Sequence, residues 1–114
     1  MYAIVRVNTM DRERVAAAGE QLAEFAALHA QQPGFLGTVT VALDDEREVV
    51  VNVWESEEHA RAGLAVMGPL VGGMLAPLMA TPTELVGVGA ATASGPVGEA
   101  LAEVLTRRAA GVTP

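Results

Sequence analysis

Two side chains capable of chemistry stand in an otherwise apolar stretch of this 114-residue chain. Asn52 and Trp54 alternate with valines, so in a β-strand both would point to the same face. An amide and an indole N–H on one face could hold a phenolate or polarise a carbonyl group. The alternative is a core tryptophan beside a hydrogen-bonded asparagine.

The two histidines, His29 and His59, are the candidates for a general base. His29 continues the apolar stripe of a predicted helix, so it either faces a pocket as a base or bonds the last carbonyls of the helix. His59 falls in the first turn of another predicted helix, beside Glu57 and Glu58. There we expect a surface residue paired with one of these acids.

The composition excludes several classes of function. Fourteen acids outnumber seven arginines, there are no lysines, and the net charge of −7 argues against nucleic-acid binding. Without cysteine there can be no disulfide, thiolate catalysis or cysteine-ligated metal. Two scattered histidines with no carboxylate at ligand spacing predict no metal site. The N-terminal sequence has no secretory signal, so we expect a cytoplasmic protein.

Residues 62–82 carry no charge and have roughly the length of a membrane span. Glycines and prolines interrupt this segment, and no basic residues flank it. We therefore expect a buried, broken helix and no membrane partner.

The hydrophobic periodicity predicts the order β-α-β-β-α-β, followed by a C-terminal helix. The predicted strands are residues 2–8, 35–43, 48–54 and 83–90. The predicted helices are residues 12–30, residues 57–79 with a break at Gly68-Pro69, and residues 99–108. This order is typical of an α+β, ferredoxin-like fold, with a four-stranded antiparallel sheet in the order 4-1-3-2 and both main helices on one face. We expect one domain over residues 1–91, and a linker with a short helix over residues 92–114.

The third predicted strand is apolar on both faces, because Val49, Val51 and Val53 alternate with Val50. Helices would cover only one of these faces. A second sheet covering the other face is the simplest solution, which predicts a homodimer.

Strand pairing predicts where the polar residues meet. Matching Tyr2 to Trp54 across the first and third strands leaves Asn8 roughly 20 Å from Trp54, outside a shared site. The same register predicts a cross-strand ion pair between Arg6 and Glu48. The helix directions then bring five side chains to one end of the domain: Tyr2, Asn52, Trp54, His29 and His59.

Two segments of the chain, Pro33-Gly34-Phe35-Leu36-Gly37 and Val50-Val51-Asn52-Val53-Trp54-Glu55-Ser56-Glu57-Glu58, resemble the antibiotic biosynthesis monooxygenase (ABM) family of dimeric α/β barrels. The resemblance implies two sheets packed into a barrel and a pocket between each sheet and its helices. It also implies either cofactor-free oxygenation of polycyclic phenols or haem degradation.

Some residues of the family's enzymes have no counterpart here. Haem-degrading relatives carry a Trp and a His where this chain has residues near Gly63 and Gly73, so we expect no haem ligand. Phenol oxygenases have a Tyr at the position of Ala60, and an Arg later in a region where this chain has none between Arg61 and Arg107.

These observations lead to two hypotheses. The first is a homodimer that binds an apolar or aromatic small molecule and oxygenates a phenolic or polyketide-type substrate without a cofactor. The second is a non-catalytic ligand-binding or scaffolding dimer of the same fold. For the enzyme we predict Asn52, Trp54 and His29 as catalytic residues. The predicted substrate-binding residues are Phe35, Met67, Met74 and Tyr2.

Overall fold

The computed structural model describes residues 1–111. Its strands are β1 (Tyr2–Met10), β2 (Phe35–Ala42), β3 (Arg47–Trp54) and β4 (Met79–Ala90). Its helices are α1 (Arg12–Ala17), α2 (Gly19–Ala30), α3 (Glu57–Leu70) and α4 (Gly95–Ala109). A π-helical turn, Val71–Leu75, and a 3-10 turn, Ala76–Leu78, extend α3 to the start of β4. The predicted α+β, ferredoxin-like fold is confirmed. The last three residues of the predicted segment 92–114 lie outside the described residues.

The four strands form one antiparallel sheet in the order β2-β3-β1-β4. The register of β1 on β3 pairs Tyr2 with Trp54 and Asn8 with Glu48, as the sequence predicted. Ile4, Phe35 and Trp54 project from the helix-facing side and form the core with Ala60 of α3. This core lies at the end of the sheet where Trp54 is. The rest of the helix-facing side is not part of this core cluster.

Two turns set the positions of β2 and β3. Gly34 has a φ of +79°, and a Cβ there would lie 2.3 Å from Cγ of His59, so the turn before β2 requires glycine. In the β2–β3 hairpin the Asp44 carboxylate accepts the backbone N–H groups of Glu46 and Arg47. These bonds and the Arg47 guanidinium lower the pKa of Asp44 to about 2. The aspartate thus closes a hairpin that lacks an Asn-Gly sequence.

The first predicted helix is two helices. Asp11 caps α1 as predicted, accepting the Arg14 N–H at 3.1 Å. The helix is interrupted at Ala18, whose φ of −116° and ψ of 28° are not helical and whose N–H bonds the Val15 carbonyl. The single helix predicted over residues 12–30 was therefore wrong at this one position.

The predicted break at Gly68-Pro69 was also wrong, because α3 continues through Pro69 to Leu70. A proline inside a helix removes one N–H donor and crowds the carbonyl four residues earlier. The π-helical turn follows at once, with the Ala76 N–H bonding the Val71 carbonyl five residues back. The distortion is thus taken up as one wider turn rather than as a break.

By length and composition, the helical run Glu57–Leu78 could cross a membrane. The run has 22 residues, and an 18-residue window of it has a mean hydropathy of 1.3 and is 17% buried within the chain. The prediction of a buried helix was therefore wrong for the single chain. Within residues 1–111 this run is the one helix of this kind, and core helices of soluble proteins can have the same length and composition. The absence of a membrane partner remains a prediction.

Candidate functional site

A cavity of about 510 Å³ lies between the sheet and the helices that cover it. This volume is within the usual range for small-molecule sites. Its roof is mainly apolar and comes from α2, the end of α3 and the π-helical turn: Phe25, Ala26, His29, Gly68, Val71 and Leu75. Its floor is the helix-facing side of the sheet and is mostly polar: Arg6, Asn8, Thr38, Thr40, Glu48, Val50, Asn52 and Thr83. Phe35 and Met79 complete the wall.

The two asparagines of the floor are held in one orientation by neighbouring threonines. The Thr38 hydroxyl donates to Oδ1 of Asn52 at 2.7 Å. The Thr83 hydroxyl donates to Oδ1 of Asn8 in the same way. With each carbonyl oxygen already bonded, the NH₂ groups are the parts of these amides left to donate to a ligand.

Arg6 lies on the floor without the ion pair that the sequence predicted. Within residues 1–111 the structure has no salt bridge between Arg6 and Glu48, although both side chains line the cavity. The two residues are diagonal neighbours, because Arg6 pairs with Val50 and Glu48 with Asn8. Diagonal positions are roughly 7–8 Å apart, which is within reach of long side chains, so side-chain direction rather than register keeps the two residues unpaired.

His29 closes one end of the cavity among aromatic rings. Its imidazole stacks on Phe35 with ring centroids 4.1 Å apart, and lies 5.7 Å from both the Phe25 and Trp54 rings. The predicted proximity of His29 and Trp54 is thus confirmed. Within the described residues the imidazole nitrogens form no hydrogen bond, unlike a helix-end histidine that bonds carbonyls. Burial lowers the pKa of His29 below 6.5, so the ring is neutral at pH 7 and able to accept a proton.

Trp54 lies behind the cavity rather than in its lining. The side chain is 1% exposed, and its six-membered ring lies against α3, where a Cβ on Gly63 would be 2.1 Å from Cη2. The indole Nε1–H is buried and has no acceptor among the described residues. Tyr2 packs on the same core cluster and does not line the cavity.

His59 and the two methionines also lie elsewhere. His59 packs on Gly34, and its Nδ1 is 2.7 Å from the Ser56 hydroxyl, outside the cavity. Met67 is 2% exposed in the core. Met74 lines a separate surface hollow against the start of α2. There its backbone carbonyl accepts a hydrogen bond from Nε2 of Gln21. From this helical run the cavity is lined instead by Gly68, Val71 and Leu75, which are spaced i, i+3 and i+7 along one helix face.

Of the residues singled out from the sequence, the cavity thus contains Asn52, His29 and Phe35. It also contains Asn8, which the sequence analysis had placed outside the site. The cavity runs along the strands from Phe35 to the level of Asn8, because the core fills only the Trp54 end of the sheet. A signal for the missed residues was present: polar residues recur at every second position of two strands, on the face where a core would need apolar ones.

An antiparallel four-stranded sheet with helices on one face, and a half-apolar cavity between the layers, defines a ferredoxin-like α+β protein with a small-molecule site. The sequence identifies the family within this class. The chain belongs to the antibiotic biosynthesis monooxygenase family, whose family model matches residues 1–63.

Solved structures show the same fold. A point mutant of SnoaB from Streptomyces nogalater, described as a cofactor-independent oxygenase, is 26% identical over 83% of this chain and 96% of its own, with a TM-score of 0.64. A putative antibiotic biosynthesis monooxygenase from Nitrosomonas europaea is 19% identical over 80% of this chain and 98% of its own, with a TM-score of 0.63. A putative member from Caulobacter crescentus is 16% identical over 81% and 90%, with a TM-score of 0.65. The last two show the fold alone. No curated protein matches the chain significantly.

Proposed function

We propose that this protein binds an aromatic, phenol-bearing small molecule in the cavity and oxygenates it without a bound cofactor. The observation that carries the proposal is the desolvated, neutral His29 at one end of a half-apolar cavity whose floor presents an amide donor, Asn52. A base and an anion-stabilising donor are what such a substrate needs to become electron-rich. The similarity to SnoaB, itself described as a cofactor-independent oxygenase, supports the same chemistry.

The reaction balances with dioxygen as the only co-reactant. His29 removes a proton from the activated CH₂ carbon of an anthrone-type ring, and Asn52 stabilises the resulting enolate through its N–H. The enolate transfers one electron to O₂, and the radical pair combines to form a C–O bond. Proton transfer from His29 and loss of water then leave a ring ketone. The CH₂ group thus becomes C=O, and the second oxygen atom leaves as water.

Trp54 supports the closed end of this site. A buried donor without an acceptor costs about 1–3 kcal/mol, and the Nε1–H of Trp54 is such a donor. A water molecule reaching this corner would satisfy it. Because Trp54 lies behind the His29–Phe35 pair and does not line the cavity, we propose that it positions these rings rather than acting as a catalytic residue.

One observation favours the alternative, a non-catalytic ligand-binding or scaffolding protein of the same fold. Ala60 stands where phenol oxygenases of the resembled type have a tyrosine, and it is fully buried in the core. That position therefore supplies no proton-transfer group, and His29 must do so alone. In either case we propose a cytoplasmic homodimer that pairs through the outer face of the sheet.

Oxygen uptake with 1,8-dihydroxyanthrone tests the proposal. We expect uptake above the protein-free rate for the wild type, and a reduction of at least about 10-fold for His29→Gln and Asn52→Ala. His59→Gln is the matched control, because His59 lies outside the cavity, and it should keep wild-type activity. Tight binding of the anthrone without oxygen uptake would support the alternative, a non-catalytic ligand-binding protein. Equal rates for wild type and His29→Gln would remove His29 as the base.

A further inference from the structure

The arginines of this chain divide into six that are paired and one that is not. Arg12, Arg14, Arg47, Arg61, Arg107 and Arg108 each lie within 2.7–3.8 Å of a carboxylate oxygen. Within residues 1–111, Arg6 forms no salt bridge and no side-chain hydrogen bond. It is also the one arginine that lines the cavity. In a chain with twice as many acids as bases, an arginine in a ligand cavity without an acidic partner requires an explanation.

Its position along the sheet separates Arg6 from the proposed reacting end. Along β1 and β3, the Tyr2–Trp54 pair lies at the His29 end, the Ile4–Asn52 pair comes next, and the Arg6–Val50 pair follows. At about 3.3 Å per residue, Arg6 lies roughly 13 Å along the strand from the Trp54 level. A rigid multi-ring ligand could therefore contact His29 with one end and Arg6 with the other.

The surroundings of Arg6 favour an anion rather than a neutral group. The roof residues Val71 and Leu75 are apolar, and a charge pair is stronger beside such low-dielectric walls than in water. The next residue along β1 on the same face, Asn8, also lines the cavity, and its carbonyl oxygen accepts from Thr83, which leaves its NH₂ group to donate. A guanidinium with a neighbouring amide donor matches a carboxylate, which accepts two hydrogen bonds side by side.

We propose that Arg6 binds a carboxylate of the ligand, so that the substrate is an aromatic carboxylic acid with its reacting ring at His29. This inference rests on the proposed function for the location of the site, but it concerns binding alone. It adds a specificity residue at the far end of the cavity. Glu48, which lines the same end, would repel the bound carboxylate and thereby limit its affinity.

The test compares two probes of nearly equal shape, anthraquinone-2-carboxylate and the neutral anthraquinone-2-carboxamide. Trp54 is the only tryptophan, and its ring lies 5.0 Å from Phe35 of the cavity wall, so its fluorescence reports binding. We expect the wild type to bind the acid at least about 10-fold more tightly than the amide. Arg6→Gln should abolish this preference while changing the amide affinity less than about twofold. Glu48→Gln should increase the affinity for the acid.

Arg12→Gln is the matched control, because it removes the same charge from a surface pair with Asp45 and should keep the full preference. Raising the salt concentration should weaken acid binding and leave amide binding unchanged. Equal binding of both probes by the wild type, or a preference that survives in Arg6→Gln, would overturn the role of Arg6. Those outcomes leave the proposed oxygenase intact, because anthrone oxidation does not require a carboxylate. If neither probe binds, the inference is overturned, and oxygen uptake decides the proposed function separately.

Discussion

The imidazole of His29 stacks on the phenyl ring of Phe35, with the ring centroids 4.1 Å apart and the planes inclined by 21°. The contact joins the last turn of α2 to the first residue of β2. The contact shields one face of the imidazole ring from water. The histidine still lines the cavity, where a ligand can contact it. The same contact therefore places a base and keeps it neutral.

The lowered pKa of His29 predicts a pH-dependent stability. Below pH 6.5 the unfolded chain gains a proton at this position before the native protein does, so the free energy of unfolding falls. The stabilisation is fully present above pH 6.5 and is lost as the pH falls through the lower, folded-state pKa. The slope cannot exceed about 1.4 kcal/mol per pH unit for one group. Urea unfolding at pH 7.5 and pH 5.5 should show a smaller loss for His29→Gln than for the wild type. A wild-type loss retained in full by His29→Gln would refute this prediction.

Gly63 is the point where α3 passes over the Trp54 ring, so Gly63→Ala should destabilise the protein. A Cβ there would lie 2.1 Å from Cη2 and 2.5 Å from Cζ3 of Trp54. Such overpacking costs about 1–3 kcal/mol, more than the gain of up to about 1 kcal/mol that alanine brings to a helix. Urea unfolding measures the difference. Gly19→Ala in α2 meets nothing within 4 Å and should be neutral or slightly stabilising. An unchanged midpoint for Gly63→Ala would contradict the close packing of Trp54.

The fold followed from the sequence because its determinants are local and periodic. Alternating residues in the strands, the Asp11 cap and the Pro33-Gly34 turn each predict one boundary, and the Tyr2–Trp54 match predicts the register. The interior of the helices was less predictable. The interruption at Ala18 has no proline or glycine at its centre, and Pro69 was absorbed by a wider turn instead of ending the helix.

The site was only partly predictable, for related reasons. Gly68, Val71 and Leu75 line the cavity from the helical side at positions i, i+3 and i+7, whereas Met74 lies on another surface. The helical period predicts such a face, but in an uncharged helix it does not determine which face turns towards the sheet. Whether Arg6 pairs with Glu48 depends on side-chain direction, which strand register alone does not determine. The position of His29 beside Trp54 was predictable, because it depends on helix direction and strand order.

Arg108 connects α4 to the residues beside the site, so Arg108→Ala should destabilise the packing of α4. The guanidinium bonds the Glu55 carboxylate and the Phe35 carbonyl, both at 3.0 Å. Both ionic side chains are about three-quarters buried, and a charged hydrogen bond in such a place contributes about 1.5–3 kcal/mol. We expect a loss of about 1–2 kcal/mol after allowing for residual solvent screening. Hydrogen exchange should accelerate in α4 and at the start of β2.

The neighbouring arginine provides the control for this measurement. Arg107 pairs with Glu103 on the exposed side of the same helix, so Arg107→Ala should cost less than about 0.5 kcal/mol. Equal losses in the free energy of unfolding for the two substitutions would show that the contacts of Arg108 do not stabilise the packing of α4. Because the Phe35 ring lies 5.0 Å from the Trp54 ring, undocking of α4 should also change the Trp54 emission in Arg108→Ala.

The outer face of the sheet predicts the assembly state. Val39 and Val41 of β2 are 58% and 50% exposed in the single chain, and they lie beside Val51 and Val49 on the face away from the helices. A contiguous exposed valine surface of this kind marks an interface. If two copies pair there, Val41→Asp places an unpaired charge in the interface of each copy, which costs several kcal/mol. Light scattering should then show a dimer for the wild type and a monomer for Val41→Asp. Val66→Asp, at a 52% exposed position of α3 on the helical side, is the matched control and should remain dimeric. A wild-type monomer, or a dimer that survives in Val41→Asp, would move the interface away from this face.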